Sequence, residues 1–328
     1  MLHSKPFEKI LLLLIVGLAL FCVETEAQKD QPEQLVFSTH WLPQAQFAGY
    51  YMAEKMGFYQ DAGLDLKIIH PPANLNALEY LETGSADIVS SFLVSAMSAC
   101  IDGMDLVNIA QMSEHSAIVF VSKKETQICK LSDFQGKKIG VWKSGFEEVP
   151  KSFLKENQIA VTWVPILSSV NLFLMGGIDL MTVMWYNEYN QIYLTGIDEE
   201  ELNTFFWKDY GFDIPEDGLY VNRASLGSKK NELAKFVDAS LKGWEYAASH
   251  FEETMSEVIK RMIEAKIPAS EAHQRWMLQK ILTLQGFDGK LEDKQLILSF
   301  ENFVKSWEIL NPEKKIFGKR NKKIDEKS

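Results

Sequence analysis

Short apolar runs that alternate with helical patterns, from Leu35 to Val221, restrict this chain more than any other feature. A strand covered on both faces reads as an unbroken apolar run, whereas a covering helix shows apolar residues at helical spacing. Strand-like runs occur at 35–37, 64–69, 87–89, 107–111, 118–122, 136–142, 162–164, 180–184, 205–207 and 219–221. Helical patterns at 74–82, 94–101, 168–175 and 189–194 fall between them. This order predicts an α/β fold built on mostly parallel sheets. After Asn222 the chain turns to long helices, with Leu233, Phe236, Val237, Leu241 and Trp244 on one face and further helices at 270–284 and 291–310. These read as a carboxyl-terminal wrap on the first unit. Polar stretches at 123–126 and 218–222 are the expected crossings between two lobes. Lobe 1 is then 28–122 with 223–310, and lobe 2 is 123–222. Residues 311–328 are lysine-rich and read as a solvated, disordered basic tail. Two lobes joined by two crossings form a hinge that clamps a ligand.

The stretch His40 to Tyr59, HWLPQAQFAGYYMAEKMGFY, joins a strand end to a helix through a turn at Pro43. Trp41, Gln44, Gln46, Phe47 and Tyr50 therefore fall where open α/β sheets hold ligands. Stacking faces beside amide donors and acceptors suit a flat, polar heterocycle, although the same aromatics also serve as core. Ser90, Ser91 and Met112 lie at strand ends and add polar contacts or helix caps. Ser144 and Gly145 open a helix, but Glu147 and Glu148 in its first turn oppose a phosphate. Trp185, Asn187 and Glu188 follow another strand, and a carboxylate there accepts from an exocyclic amine. Trp142, Trp163, Trp185 and Trp207 crowd the second unit, as core or as a wider stacking surface. His40 and His70, with no acid or nucleophile pattern around them, read as structural.

The chain has 328 residues, 46% hydrophobic, enough for more than one core. A formal charge of −11 excludes nucleic acid as a natural partner. No P-loop, HExxH or CxxC pattern occurs, so neither a metal nor a bound cofactor is expected. Lys5 and Lys9 precede an apolar run from Ile10 to Val23, and Thr25-Glu26-Ala27 supplies a cleavage site. A cleaved signal peptide over 1–27 is expected, with a lipid or helical anchor as the alternative. Cys22 lies in this leader; Cys100, in an apolar helix, reads as a buried free thiol rather than a partner of Cys129.

Trp41-x-Pro43-x-x-Gln46-Phe47-Ala48-Gly49-Tyr50-Tyr51, with Gly57-Phe58-Tyr59 and Gly63-Leu64, resembles the opening of the thiamine-pyrimidine-precursor branch of the periplasmic solute-binding proteins. Gly84-Ser-Ala-Asp87, the block from Leu131 to Gly140, Tyr186-Asn187-Glu188 and Lys242-Gly243-Trp244 match later blocks of that branch. The resemblance implies a type II periplasmic-binding-protein fold in an extracytoplasmic, monomeric protein. Its partners would be a formylated aminopyrimidine or similar heterocycle and an ABC transporter permease in the inner membrane. Relatives that import riboflavin share the Gln-Phe-Ala-Gly-Tyr-Tyr form of the first block, which makes a flavin or another vitamin the alternative ligand. A fungal enzyme of the same fold makes the thiamine pyrimidine from pyridoxal phosphate and its own histidine. Ser91 and Ser95 stand here where that enzyme has its lysine and histidine, so the resemblance implies binding and no catalytic residues.

Overall fold

The computed structural model describes residues 34–72, 75–142, 147–167, 169–287 and 296–310. Five strands form the first sheet: β1 (Gln34–Ser38), β2 (Asp65–Ile69), β3 (Ile88–Phe92), β4 (Leu106–Gln111) and β10 (Asp217–Asn222). Their order is β2-β1-β3-β10-β4. The second sheet holds β5 (Ile118–Lys123), β6 (Lys138–Trp142), β7 (Thr162–Ile166), β8 (Leu180–Met184) and β9 (Leu202–Phe206), in the order β7-β6-β8-β5-β9. Each sheet has the same plan. Parallel pairs (β1 with β2 and β3; β6 with β7 and β8) are joined by one antiparallel insertion. That inserted strand is β10 in the first sheet and β5 in the second. In both cases it is the strand that follows a passage from the other sheet. β8 is buried along its whole length, as an apolar strand covered on both faces should be.

The passages between sheets differ from those expected. Residues 123–126 do not cross: β5 pairs with β8 and β9, and Lys124–Thr126 is a 3-10 turn within the second lobe. Residues 218–222 do not cross either, because β10 is threaded between β3 and β4. The actual passages are 112–117 and 207–216. An apolar run reports that a strand is buried but not which neighbour it pairs with: the sequence pattern groups β5 with the first lobe and β10 with the second, and the structure exchanges them. The two passages are stapled together by carboxylates. Asp213 accepts from the Ser116 N–H (2.8 Å), and Glu216 accepts from the Ser116 hydroxyl (2.5 Å) and the Ala117 N–H (2.8 Å).

The first lobe carries helices α1 (Ala48–Lys55), α2 (Phe58–Asp61), α3 (Leu78–Glu82) and α4 (Leu93–Ile101); the second carries α5 (Glu148–Glu156), α6 (Asn171–Leu174) and α7 (Glu188–Tyr193). Among the described residues five more follow β10: α8 (Arg223–Ser228), α9 (Lys230–Ser249), α10 (Phe251–Glu264), α11 (Glu271–Leu284) and α12 (Phe300–Leu310). The helix expected over 291–310 is thus confined to Phe300–Leu310 among the described residues. The carboxyl-terminal helices are not confined to the first lobe. The α11 side chain of Trp276 donates to the Trp185 carbonyl of the second lobe (2.9 Å), and α12 packs on both α4 and α5. Cys100 and Cys129 are free, and Cys100 is exposed rather than buried. The basic tail and the leader fall outside the described residues.

The first-lobe core depends on a close crossing of α1 and α9. A methyl group on Gly243 would lie 2.1 Å from the Gly49 carbonyl oxygen, and one on Gly49 would lie 2.1 Å from the Trp244 ring. Only two glycines let the backbones approach this closely. The contact also sets Phe236 parallel to both Tyr50 and Tyr59, with ring centroids 6.4 and 5.6 Å away. Gly243→Ala is therefore expected to destabilise the protein by about 3 kcal/mol or more, because backbone rather than a flexible side chain must move. Urea unfolding of the variant against wild type measures this.

Candidate functional site

β1 ends at Ser38, and the chain turns through His40 and a 3-10 turn (Ala45–Phe47) into α1. The His40 backbone N–H donates to the Ser90 hydroxyl (3.0 Å), and its ring Nδ1 lies 2.7 Å from the same oxygen. With Nδ1–H donating to Ser90, the other ring nitrogen is free to accept. The Gln46 amide nitrogen faces three acceptors: His40 Nε2 (3.0 Å), the Tyr186 hydroxyl (3.1 Å) and Asp217 Oδ2 (3.1 Å). Gln44 donates to the Gln46 carbonyl oxygen (2.7 Å), which fixes the amide from behind. Gln46 thus joins the first-lobe turn to Tyr186, which follows β8 of the second lobe.

Asp217 opens β10 with its backbone well held. Its N–H donates to the Ser113 hydroxyl (2.7 Å), and its carbonyl accepts from the Met112 N–H (2.8 Å) and the Gln111 side chain (2.8 Å). Its carboxyl group is under-supplied with donors. Oδ1 is buried, lies 3.8 Å from His40 Nε2, and has no hydrogen-bond partner among the described residues. Burial raises the Asp217 pKa against the opposing pull of His40, and burial lowers that of His40 itself, so the imidazole is neutral. Two further carboxyls surround Tyr186, whose own pKa is raised well above the usual phenol value by burial and by Asp217, Glu216 and Glu188. Burial pushes Glu188 up to about 7 and Glu216 up to about 8.

The structure brings together Gln46, Ser90 and Met112 among the residues expected from sequence, the last through its backbone. Ser91 is buried in β3 opposite Gly218. The expected sandwich of Trp41 and Tyr50 is not formed. Tyr50 is sealed within the first lobe, 4.7 Å from the Phe37 ring and edge-on to Trp244, while Trp41 is 39% exposed. The helical spacing that placed Tyr50 near the cleft also suits the α1–α9 seam, and the apolar seam takes the ring. Phe47 is likewise buried, edge-on to the His40 ring at 5.1 Å. Glu188 turns back onto its own strand end, accepting from the Met184 N–H (3.1 Å) and from Asn187 (3.0 Å). Asn187 and Trp185 meet α11 instead, through His273 and Trp276. Trp207 is second-lobe core, stacked on Phe153. Ser144 lies outside the described residues.

Sequence reasoning missed His40, Tyr186 and Asp217 as members of one cluster. His40 and Tyr186 each sit just past a strand end, which is a usable signal. Asp217 is 171 residues from Gln46 and carries no local signal. A small crevice beside the passages is bounded by Phe92, Ile118, Val149, Ile214 and Pro215, and none of Gln46, His40, Tyr186 and Asp217 lines it.

Two mixed α/β sheets joined by two passages are the fold of the solute-binding proteins of ABC import systems. The aliphatic sulphonate-binding protein SsuA of Escherichia coli superposes with a TM-score of 0.67 at 15% identity, over 87% of this chain and 95% of that one. A ligand-binding component of an ABC-type import system from Staphylococcus aureus gives 0.60 at 12% identity, over 85% and 91%. The chain belongs to the NMT1/THI5-like family, which it matches over residues 44–254. Similar sequences include a thiamine biosynthesis protein of Haemophilus influenzae (25% identical over 66% of this chain and 70% of its own). The formylaminopyrimidine-binding protein of Halalkalibacterium halodurans is 23% identical over 80% and 82%. The riboflavin-binding protein RibY of Chloroflexus aurantiacus is 21% identical over 78% and 74%.

The raised carboxyl groups make stability fall with rising pH. An unfolded chain releases the Glu188 and Glu216 protons near 4.5, whereas the folded protein holds them to about 7 and 8. Their contribution is fully present below 4.5 and is lost as pH rises toward 8. The thermal midpoint is expected to drop by several degrees between those limits. Glu216→Gln, which cannot ionise, should flatten the drop in a pH series of melting curves.

Proposed function

We propose that this chain is an exported solute-binding protein that captures an aminopyrimidine between its lobes and delivers it to an ABC transporter permease. One observation carries the choice of ligand: the buried Asp217 carboxyl has an oxygen without a donor, beside a Gln46 amide shared among three acceptors. The site therefore offers surplus acceptors and lacks N–H groups. An exocyclic amine on a pyrimidine supplies N–H donors with a single ring-nitrogen acceptor beside them, so one of its hydrogens can meet the unpartnered Asp217 oxygen. The formylaminopyrimidine-binding relative supports the same reading. Riboflavin presents a single ring N–H between two carbonyls, so its edge would set further acceptors against Asp217; the RibY relative keeps it as the second ligand to test.

Binding is the whole activity in this reading. Ser91 and Ser95 cannot form the Schiff base or supply the imidazole of thiamine pyrimidine synthesis. The apolar run before Val23 fits export by a signal peptide. Titration of tryptophan fluorescence with a 4-aminopyrimidine, its 4-oxo analogue and riboflavin tests the ligand. The amino compound should bind, and Asp217→Asn should weaken it roughly ten- to hundredfold, the scale of one hydrogen bond to a charged group. Equal binding of the oxo analogue, or an Asp217→Asn variant with unchanged affinity, would refute the assignment.

A further inference from the structure

Two consecutive residues of α11 reach the two lobes on either side of the candidate site. Gln274 is 3% exposed, and its Oε1 accepts from the Ala45 N–H (2.8 Å), inside the turn that presents Gln44 and Gln46. His273 faces the second lobe: its Nε2 lies 3.0 Å from Asn187 Oδ1, and its Nδ1 lies 2.9 Å from Asn190 Oδ1. Asn187 is not free to turn, because its nitrogen donates to Glu188 and its oxygen accepts from Gln191 (3.1 Å). With that oxygen fixed toward His273, a neutral imidazole donates from Nε2, and the Asn190 amide, whose orientation is set by this bond, turns its nitrogen to Nδ1. Further along the helix, Trp276 donates to the Trp185 carbonyl, and the Lys280 ammonium sits 4.4 Å from the ring centroids of both Trp185 and Trp276.

We propose that α11 is the closure strap of this protein, with Gln274 and His273 as positioning residues that set ligand affinity without touching the ligand. Gln274 holds the Gln44–Gln46 turn, and His273 holds Asn187 and thereby Glu188. Because both ride on one helix, withdrawing either bond lets the second lobe swing relative to the turn. The helix supplies this bridge between the lobes before any ligand arrives, so part of the closing free energy is built into the chain. The affinity arm of the test rests on the aminopyrimidine reading; the distance arm does not.

The fold provides its own reporters, since Cys100 on α4 and Cys129 in the second lobe are free and exposed. Spin labels on these two, in the full chain with Cys22→Ser, measure the interlobe distance by pulsed electron resonance. Ligand-free wild type should give one narrow distance. Gln274→Leu and His273→Leu should each add a longer population and weaken 4-aminopyrimidine binding about tenfold, one hydrogen bond's worth. Gln274→Glu keeps an acceptor for Ala45 and His273→Gln keeps a donor for Asn187; both should restore the narrow distance, which a general packing defect would not allow. A single narrow distance and wild-type affinity in both leucine variants would overturn the proposal, as would failure of both conservative variants to restore closure. If wild type ignores the aminopyrimidine, the ligand reading fails while the ligand-free distances still decide the role of α11.

Discussion

The Gln46 amide is the point on which this arrangement turns. It is a neutral group buried between a neutral imidazole, a phenol and a carboxyl group, and it links the two lobes through Tyr186. In so enclosed a setting a missing donor costs far more than it would in water. The cluster is therefore poised: its acceptors are preorganised, and one Asp217 oxygen is left short. A ligand that brings N–H groups gains from that shortage, while one that brings more acceptors pays for it.

The backbone explains how three distant segments meet there. β10 is inserted antiparallel between β3 and β4, so Asp217, at its first residue, is set opposite Phe92, two residues past Ser90 in β3, and beside the end of β4 that leads into Met112. The staple of Asp213 and Glu216 onto Ser116 and Ala117 then ties the two passages side by side. A hinge made this way can bend only where both passages bend together. Burial pushes the Glu216 carboxyl of the staple up to about 8, so this acid stays largely protonated near neutral pH and adds little charge between the passages.

Much of the fold was legible in the sequence, and the reason is local. The apolar runs of β5 and β8 and the face of α9 announce burial within a few residues of themselves. The partners of a strand are not local information, and for that reason the sequence pattern groups β5 and β10 with the wrong sheets. The site divides along the same line. Gln46 was visible because the turn after a strand is where α/β folds keep polar groups, and Ser90 because a serine pair late in an apolar strand stands out, although it lies inside β3 rather than at its end. Tyr50 misled because an aromatic residue on a helix next to a cleft looks the same whether it faces the cleft or the seam behind it. Asp217, His273 and Gln274 were invisible because their meaning arises only when chain segments far apart in sequence come together.

The threading of β10 also bears on how the molecule is made. The second sheet consists of one continuous segment, 118–206, and its strands are all available once that stretch has left the ribosome. The first sheet is different. Its strands β1 to β4 are synthesised first, yet β4 has no neighbour there until residues 217–222 arrive to fill the space beside β3. The younger lobe can therefore mature before the older one, and the nascent chain carries two unpaired strand edges for about a hundred residues of translation, the interval in which a chaperone or an export factor has most to hold.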